Sequence, residues 1–550
     1  VAPLAFACIL LLVWILFREP SFLAPVALMA LLSVVWTMGA LIGTGNTVHI
    51  MSSMIPVFLM PIAILDSIHI LSEFDGRRRA GGDRRTTLRE AMRPLYRPMA
   101  FTSITSAVGF ASLGLAFIPP VRVFGLFVGV GIAIAWVLTH TLLPALFAVL
   151  PLRPPAPAPS PAPGGTAPRG ATAAALRAIG AFAFGRARLV LIAVVLLLVA
   201  GAAGIARLRS DDNPVRWFRP GHPVRVADDE LNARFGGTYM ANVVVRGDAD
   251  RAMQRPDVMK WIARLEDRLE TDPAVGKVSS VADIVRRINR VVHDGDPAYD
   301  RVPDSEAGIG QLLFIFQGSG NPDDLDHLVT PGGHQANLWV QLKDGDNDAM
   351  QRVEALAARF EREDPPPPGI TASWSGLNHI NVIWQHLMVR GMLQAILGSF
   401  AVVFALMVLE FRSWRLGLLA MLPLTVAISV AYGAIGLLGK AYDMPIAVCS
   451  SLSLGLAVDF AIHFLERFRA RWRESGDLED ANRHVFGAPG VAIARNAIVI
   501  SLGFLPLVVS SLTPYITVGL FFATLMIAGA LATLFVLPAM LRVAGPGALR

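Results

Sequence analysis

The chain has 550 residues, 54% of them hydrophobic and only 16% charged, with a net charge of +6 and two cysteines. Soluble domains carry about 25% charged residues, so an ordinary soluble chain is excluded, and long apolar stretches broken by short charged ones indicate a polytopic membrane protein. Cys8 and Cys449 both lie inside apolar runs, which excludes a disulfide framework, and the arginines cluster in short loops beside apolar runs, which speaks for membrane topology and against a nucleic-acid partner.

Residues 1–150 form a first membrane region with candidate spans at 1–17, 22–44, 49–72, 98–118 and 121–150. Most reach the ~20 residues that cross a bilayer. Residues 151–187 are rich in Pro, Ala and Gly ("PLRPPAPAPSPAPGGTAP") and read as a cytoplasmic linker. A single span follows at 188–207, and then the one large polar segment, 208–387. In that segment "ANVVVRG", "NLWVQLK" and "ITASWSG" predict strands, while "DVMKWIARLEDRLETD" and "DAMQRVEALAARFERE" carry helical periodicity. Strand–helix–strand order from 337 to 376 predicts a split βαβ, hence a mixed α/β, ferredoxin-like domain. Residues 388–541 hold five more candidate spans, 388–410, 414–438, 444–466, 491–511 and 514–541, and 542–550 is a short cytoplasmic tail. The eleven candidate spans orient themselves by their arginines. Arg77 to Arg97 and Arg467 to Arg495 mark cytoplasmic loops, and the opposite loops "GTGN" and "SSLTP" are uncharged. This places 208–387 outside. It also starts Val1 on the outer side, so a further span and a further outer domain are expected upstream.

A shift of 394 residues aligns the two membrane regions without a gap. His69 falls on His463, "GF" at 109–110 on "GF" at 503–504, Pro120 on Pro514, "GLF" at 125–127 on "GLF" at 519–521, and "LPA" at 143–145 on "LPA" at 537–539. The order of hydropathy is the same in both, so these are two parallel membrane repeats, and a site between them is the default expectation.

Asp66 and His69 share one helix face in the first repeat, and Asp459 and His463 share one in the second. An ionised Asp at bilayer depth costs about 2.5–3.5 kcal/mol, so both must face the protein interior or a wet cavity. An aspartate there, with a histidine one turn away, can take and release a proton near neutral pH. These four residues are the candidate proton relay; the competing reading is an ion pair that locks helices together. Thr102, Ser103, Thr105 and Ser106 enter from the same side at comparable depth, and Asn496 and Ser501 occupy the corresponding zone of the second repeat, so all six are candidate polar supports. In the 394 register Asp66 meets Phe460 and Asp459 meets Leu65, so the two acids cannot be geometrically equivalent. The more apolar flanks of Asp459, "GLAV" and "FAI", favour it as the proton carrier.

With the two Asp/His helices, the stretch "SITSAVGFASLGLAFIPPVRVFGLF" and a polar domain between the halves, the chain resembles the RND superfamily, and within it the MMPL-type exporters. Residues 1–150 also resemble the five-helix sterol-sensing unit of that superfamily. The resemblance implies twelve spans and two porter-type periplasmic domains in a bacterial inner membrane. It implies proton-driven export of hydrophobic or lipid-like substrates, with protons as the coupling ion and no other cofactor or metal, and relay acids at Asp459 and Asp66. Beyond the lipid bilayer and a lipid-like substrate, a homo-oligomer or a periplasmic partner stays open, and nucleic acid is not expected. Asp66 is followed by Ser67 and Asp459 by Phe460, where lipid exporters of this type often have tyrosine; His69 and His463 are the candidate replacements. A sterol- or lipid-sensing protein that does not pump, or an accessory to protein translocation, is the alternative reading. An enzyme is not expected: 208–387 contains no metal-ligand cluster, phosphate loop or nucleophile elbow in sequence. His334 and His379 read as loop or junction residues, and "DGDND" at 344–348 as a turn, because it lacks the downstream Glu of a calcium loop.

Overall fold

The computed structural model describes residues 2–79, 83–150, 171–211, 213–319 and 323–549. It divides into two compact units, Val1–Arg209 with Met388–Arg550, and Ser210–Leu387.

The first unit opens with α1 (Ala2–Phe17), α2 (Leu23–Gly43), α3 (Ile55–Arg79), α4 (Arg84–Ala111) and α5 (Pro119–Val149), followed by α6 (Ala171–Gly185) and α7 (Ala187–Ile205). Among the described residues, nine helices are long and apolar enough to cross a membrane. The protein is a multi-pass α-helical membrane protein. α1 covers the described part of the first expected span, 1–17. α6 corrects the composition-based reading of 151–187 as linker throughout. Residues 151–170 lie outside the described residues, but "ATAAALRAIGAFAFG" folds as a helix. It is alanine-rich and free of proline, and Ala173, Leu176, Ala183 and Phe184 bury one stripe of it.

The inserted unit runs α8 (Pro223–Arg234), β1 (Tyr239–Gly247), α9 (Pro256–Leu269), β2 (Val275–Ser279), α10 (Val281–Val292), α11 (Glu306–Ser319), a single turn α12 (Asp323–Asp326), β3 (Gln335–Leu342), α13 (Asn347–Glu363) and β4 (Ile370–Ser375). The sheet order is β2-β3-β1-β4, with every neighbouring pair antiparallel. β1–α9–β2 and β3–α13–β4 are therefore two split βαβ units, the ferredoxin-like arrangement of a porter-type domain. Alternation places Ala241, Val243 and Val245 of β1 in one core with Leu338 and Val340 of β3, Trp261 and Leu265 of α9, and Val353 and Phe360 of α13. β2 escapes the sequence pattern: "VGKVS" is five residues long, with Gly and Lys inside it, and only its pairing with β3 makes it a strand.

The membrane unit resumes with α14 (Leu377–Phe411), α15 (Trp414–Leu437), α16 (Met444–Ser475), α17 (Leu478–Val485), α18 (Ala488–Phe504) and α19 (Thr513–Ala544). α16 continues past the apolar run because "LERFRARWRES" is itself a strong helix former. α7 meets α15 through small residues: a Cβ on Gly201 would lie 2.7 Å from the Ser429 carbonyl oxygen, and one on Gly204 2.2 Å from that of Gly433.

The repeat found in sequence is a repeat in space. After α4 the chain makes a 3₁₀ turn at Ser112–Leu115, and after α18 another at Leu505–Val509. Gly125 of α5 packs under the first turn, where a Cβ would meet Leu113 Cβ at 2.4 Å and the Phe110 carbonyl at 2.5 Å. Gly519 of α19 packs under the second, with Leu507 Cβ at 2.7 Å and the Phe504 carbonyl at 2.9 Å. All three residues differ by the same 394, so the glycine of each "GLF" is what lets its helix touch the preceding turn.

Candidate functional site

Across the repeats the helices exchange partners: α16 packs on α4, and α18 on α3. Gly455 makes the first contact possible, since a Cβ there would meet Ser106 Cα at 2.7 Å. The Ser106 hydroxyl uses the proximity to donate to the Gly455 carbonyl at 2.9 Å. Asp459 lies one turn further along that face of α16, so the close approach sets it against the other repeat.

Asp66 and Asp459 are both buried. Their surroundings differ. Ser103 Oγ donates to Asp66 Oδ2 at 3.0 Å, whereas Asp459 Oδ1 is buried with no hydrogen-bond partner among the described residues. His69 and His463, equivalent in the repeat, stack on one another with ring centroids 4.7 Å apart and planes 30° from parallel. Asn496 of α18 reaches across to His69 Nε2.

Of the six candidate supports, Ser103, Ser106 and Asn496 join this centre. Thr102, Thr105 and Ser501 do not touch the acids. Thr102 donates to the Met99 carbonyl at 3.0 Å, Thr105 to that of Thr102 at 2.9 Å, and Ser501 to that of Ala523 at 3.2 Å. A short hydroxyl on a helix finds a backbone carbonyl more readily than a distant side chain.

A cavity of about 470 Å³, partly open at the surface, runs from the arginine-rich end to the histidine pair. His69 and His463 line its depth, and Glu73, Arg467, His484 and Arg495 line it elsewhere. Arg467 was legible only as a loop cation, yet Asp459, His463 and Arg467 are spaced four apart and share one face. On the opposite side of the acids, Phe58 lies eight residues before Asp66 on α3, about 12 Å away at 1.5 Å per residue. Its ring meets Phe110, Phe124, Phe504 and Phe522, from both repeats, at 6.2, 5.5, 5.6 and 5.1 Å. The polar centre is thus approached from one end by a cavity that carries His, Glu and Arg among apolar residues, and capped by packed aromatic rings at the other.

In the inserted unit, His334 Nε2 lies 2.7 Å from Asp250, and His379 Nδ1 lies 2.6 Å from Glu354. In the 344–348 turn, Asp344 and Asp346 hold Arg216 at 3.1 and 3.3 Å, directly before α13.

The family model described as MMPL family matches residues 1–162 and 216–550. A protein of Methanocaldococcus jannaschii named as a membrane protein is 24% identical over 339 residues, covering 60% of this chain and 84% of the relative. A membrane protein of Streptomyces coelicolor is 33% identical over 149 residues, 26% of this chain and 21% of the relative.

Proposed function

Because this chain belongs to the MMPL family of RND-type membrane transporters, we propose that it is a proton-driven exporter of hydrophobic or amphipathic, lipid-like substrates from a bacterial inner membrane. In this reading the arginine-rich end is cytoplasmic and residues 210–387 are periplasmic. The observation that supports it is the joining of Asp66, Asp459 and the His69–His463 stack, drawn from both repeats, at one buried centre.

The physical logic is a two-state one. An ionised carboxylate at this depth costs about 2.5–3.5 kcal/mol unless its surroundings compensate it. Adding or removing a proton at Asp459, whose Oδ1 has no partner among the described residues, changes which packing of α16 against α4 is favoured. A proton falling through the membrane potential supplies about 2.3 kcal/mol per 100 mV, enough to bias such an equilibrium. The cavity beneath the histidines provides a wet route on the arginine-rich side, and the Phe58 cluster opposes a leak on the other.

The test is Asp459→Asn in proteoliposomes with an imposed pH gradient and a fluorescent lipid as cargo. The variant is expected to bind the lipid and to lose gradient-driven transport. Full gradient dependence retained in Asp459→Asn would refute proton coupling at this site. If the unmodified protein binds lipid but never moves it, a lipid-sensing role replaces the exporter.

A further inference from the structure

Away from the acids, we propose that the corner formed by α6, α7, α17 and α19 binds an anionic phospholipid, of the phosphatidylglycerol type, in the leaflet at the arginine-rich end. Two adjoining features carry the inference. The first is a cavity of about 430 Å³ lined by Arg177 of α6, Arg483 of α17 and Arg542 of α19, with Glu479 as its one carboxylate. None of the three arginines forms an ion pair among the described residues. Arg177 Nε donates to the Ala173 carbonyl at 3.2 Å, and Arg542 lies 4.9 Å from the centre of the Phe184 ring, so all three retain N–H groups for an anion.

The second feature is a groove of about 470 Å³ whose lining is entirely apolar, between Phe182 of α6, Leu189 and Leu197 of α7, Val430 of α15, and Leu531 and Phe535 of α19. From Ala528 to Val536 it extends along α19 for about 12 Å at 1.5 Å per residue.

The two features stand end to end, as the head and tail of a lipid do. Phe182 lines the groove and Phe184, two residues on, lines the cavity. On α19, Arg542 follows Val536 by about 9 Å. Three cations over an apolar slot fit a phosphate joined to an acyl chain. The choice of headgroup comes from charge: three arginines face a single carboxylate, Glu479, and the net positive wall suits an anionic headgroup over a zwitterionic choline. Occupancy would brace α6 against α17, whose His484 lines the cavity leading to the histidine stack.

The experiment is native mass spectrometry of the full chain, incubated with equimolar dioleoyl-phosphatidylglycerol and dioleoyl-phosphatidylcholine. Phosphatidylglycerol is expected to be retained selectively. Arg177→Gln, Arg483→Gln and Arg542→Gln combined should weaken that retention by roughly tenfold or more, and the three corresponding Arg→Lys changes should preserve most of it. Equal retention of both lipids, undiminished retention in the Gln variant, or equal loss in the Lys variant would each overturn the proposal. So would a dimer that retains no lipid. Because the readout is binding, it stands or falls independently of whether the protein pumps.

Discussion

The two membrane repeats share a scaffold and differ at the position that matters most. Gly125 and Gly519 make the same contact with the same turn, and the two histidines meet face to face. Yet Asp66 has a serine donor and Asp459 Oδ1 has no partner among the described residues. Duplication fixed the packing, and the one-position offset between the acids then gave each a different neighbourhood. The difference teaches where to look for a division of labour: a carboxylate already held by a hydroxyl is suited to a standing role, and an unpartnered one to changing its proton.

The largest expected effect breaks this contrast or secures it. Asp459→Asn should reduce gradient-driven lipid transport to the level of protein-free vesicles. Asp66→Asn should leave measurable transport, with a shifted pH profile. Equal and complete loss in both would show that the acids act as one coupled pair, and the asymmetry would then be without consequence. Next in size is Ser103→Ala. A hydrogen bond to a charged group contributes about 1.5–3 kcal/mol, so transport should slow by about tenfold, with Ser103→Thr restoring part of it. If Ser103→Ala is neutral while Asp66→Asn is not, the serine does not define the Asp66 environment.

The scaffold was readable in sequence because it rests on periodic apolar patterning and on a register held for some eighty residues, which the hydropathy order and the matched motifs both carry. The acids and histidines were readable because charge at bilayer depth is costly and therefore rare. What escaped has a local physical reason in each case. Thr105 and Ser501 satisfy themselves on backbone carbonyls, so their presence in the polar zone carries no information about contacts. Arg467 belongs by charge to the loop and by spacing to the face of Asp459, and charge is the louder signal. α6 sits behind a proline-rich stretch whose composition masks the alanine-rich helix that follows. β2 exists only through its partner strand. The packing of α16 on α4 depends on Gly455, one glycine among the 48 of the chain, which only its 2.7 Å approach to Ser106 distinguishes.

The shared scaffold has its own test. A methyl group at Gly125 would fall 2.4 Å from Leu113 Cβ, and one at Gly519 2.7 Å from Leu507 Cβ. Overpacking of this kind costs about 1–3 kcal/mol. Both Gly125→Ala and Gly519→Ala should lower the melting temperature of the detergent-solubilised protein, Gly125→Ala by more. The reverse order would mean that the second repeat, not the first, is the more tightly determined.

The smallest effect comes from a third buried acid, which separates burial from membrane depth as the cause of the contrast. Glu266 in α9 of the inserted unit is held differently again: Oε2 accepts from Ser280 at 2.6 Å, while buried Oε1 lies 3.9 Å from nitrogens of both Lys277 and Arg286. Burial, and then the neighbouring Asp283, push its carboxyl up to about 8. The fold therefore holds the proton more tightly than the unfolded chain does. The stability this contributes is fully present below the ordinary glutamate range near 4.3 and is lost as pH rises through about 8. Asp283 is shifted the opposite way, downward, chiefly by its bonds to Glu266 and Arg286 acting against burial. Its contribution is therefore lost only at more acidic pH. Asp346 of the same unit is raised to about 7, by burial and then by Asp211 and Asp344, and shares the slope between pH 5 and 8, so the share of Glu266 is the part that Glu266→Gln removes. Hydrogen exchange in α9 of the full chain, corrected for intrinsic rates, should show protection falling from pH 5 to pH 9, and Glu266→Gln should flatten that fall by keeping the side chain neutral. A profile unchanged in Glu266→Gln would show that Ser280, with Lys277 and Arg286 at the other oxygen, settles this carboxylate, and that burial alone does not set the contrast between Asp66 and Asp459.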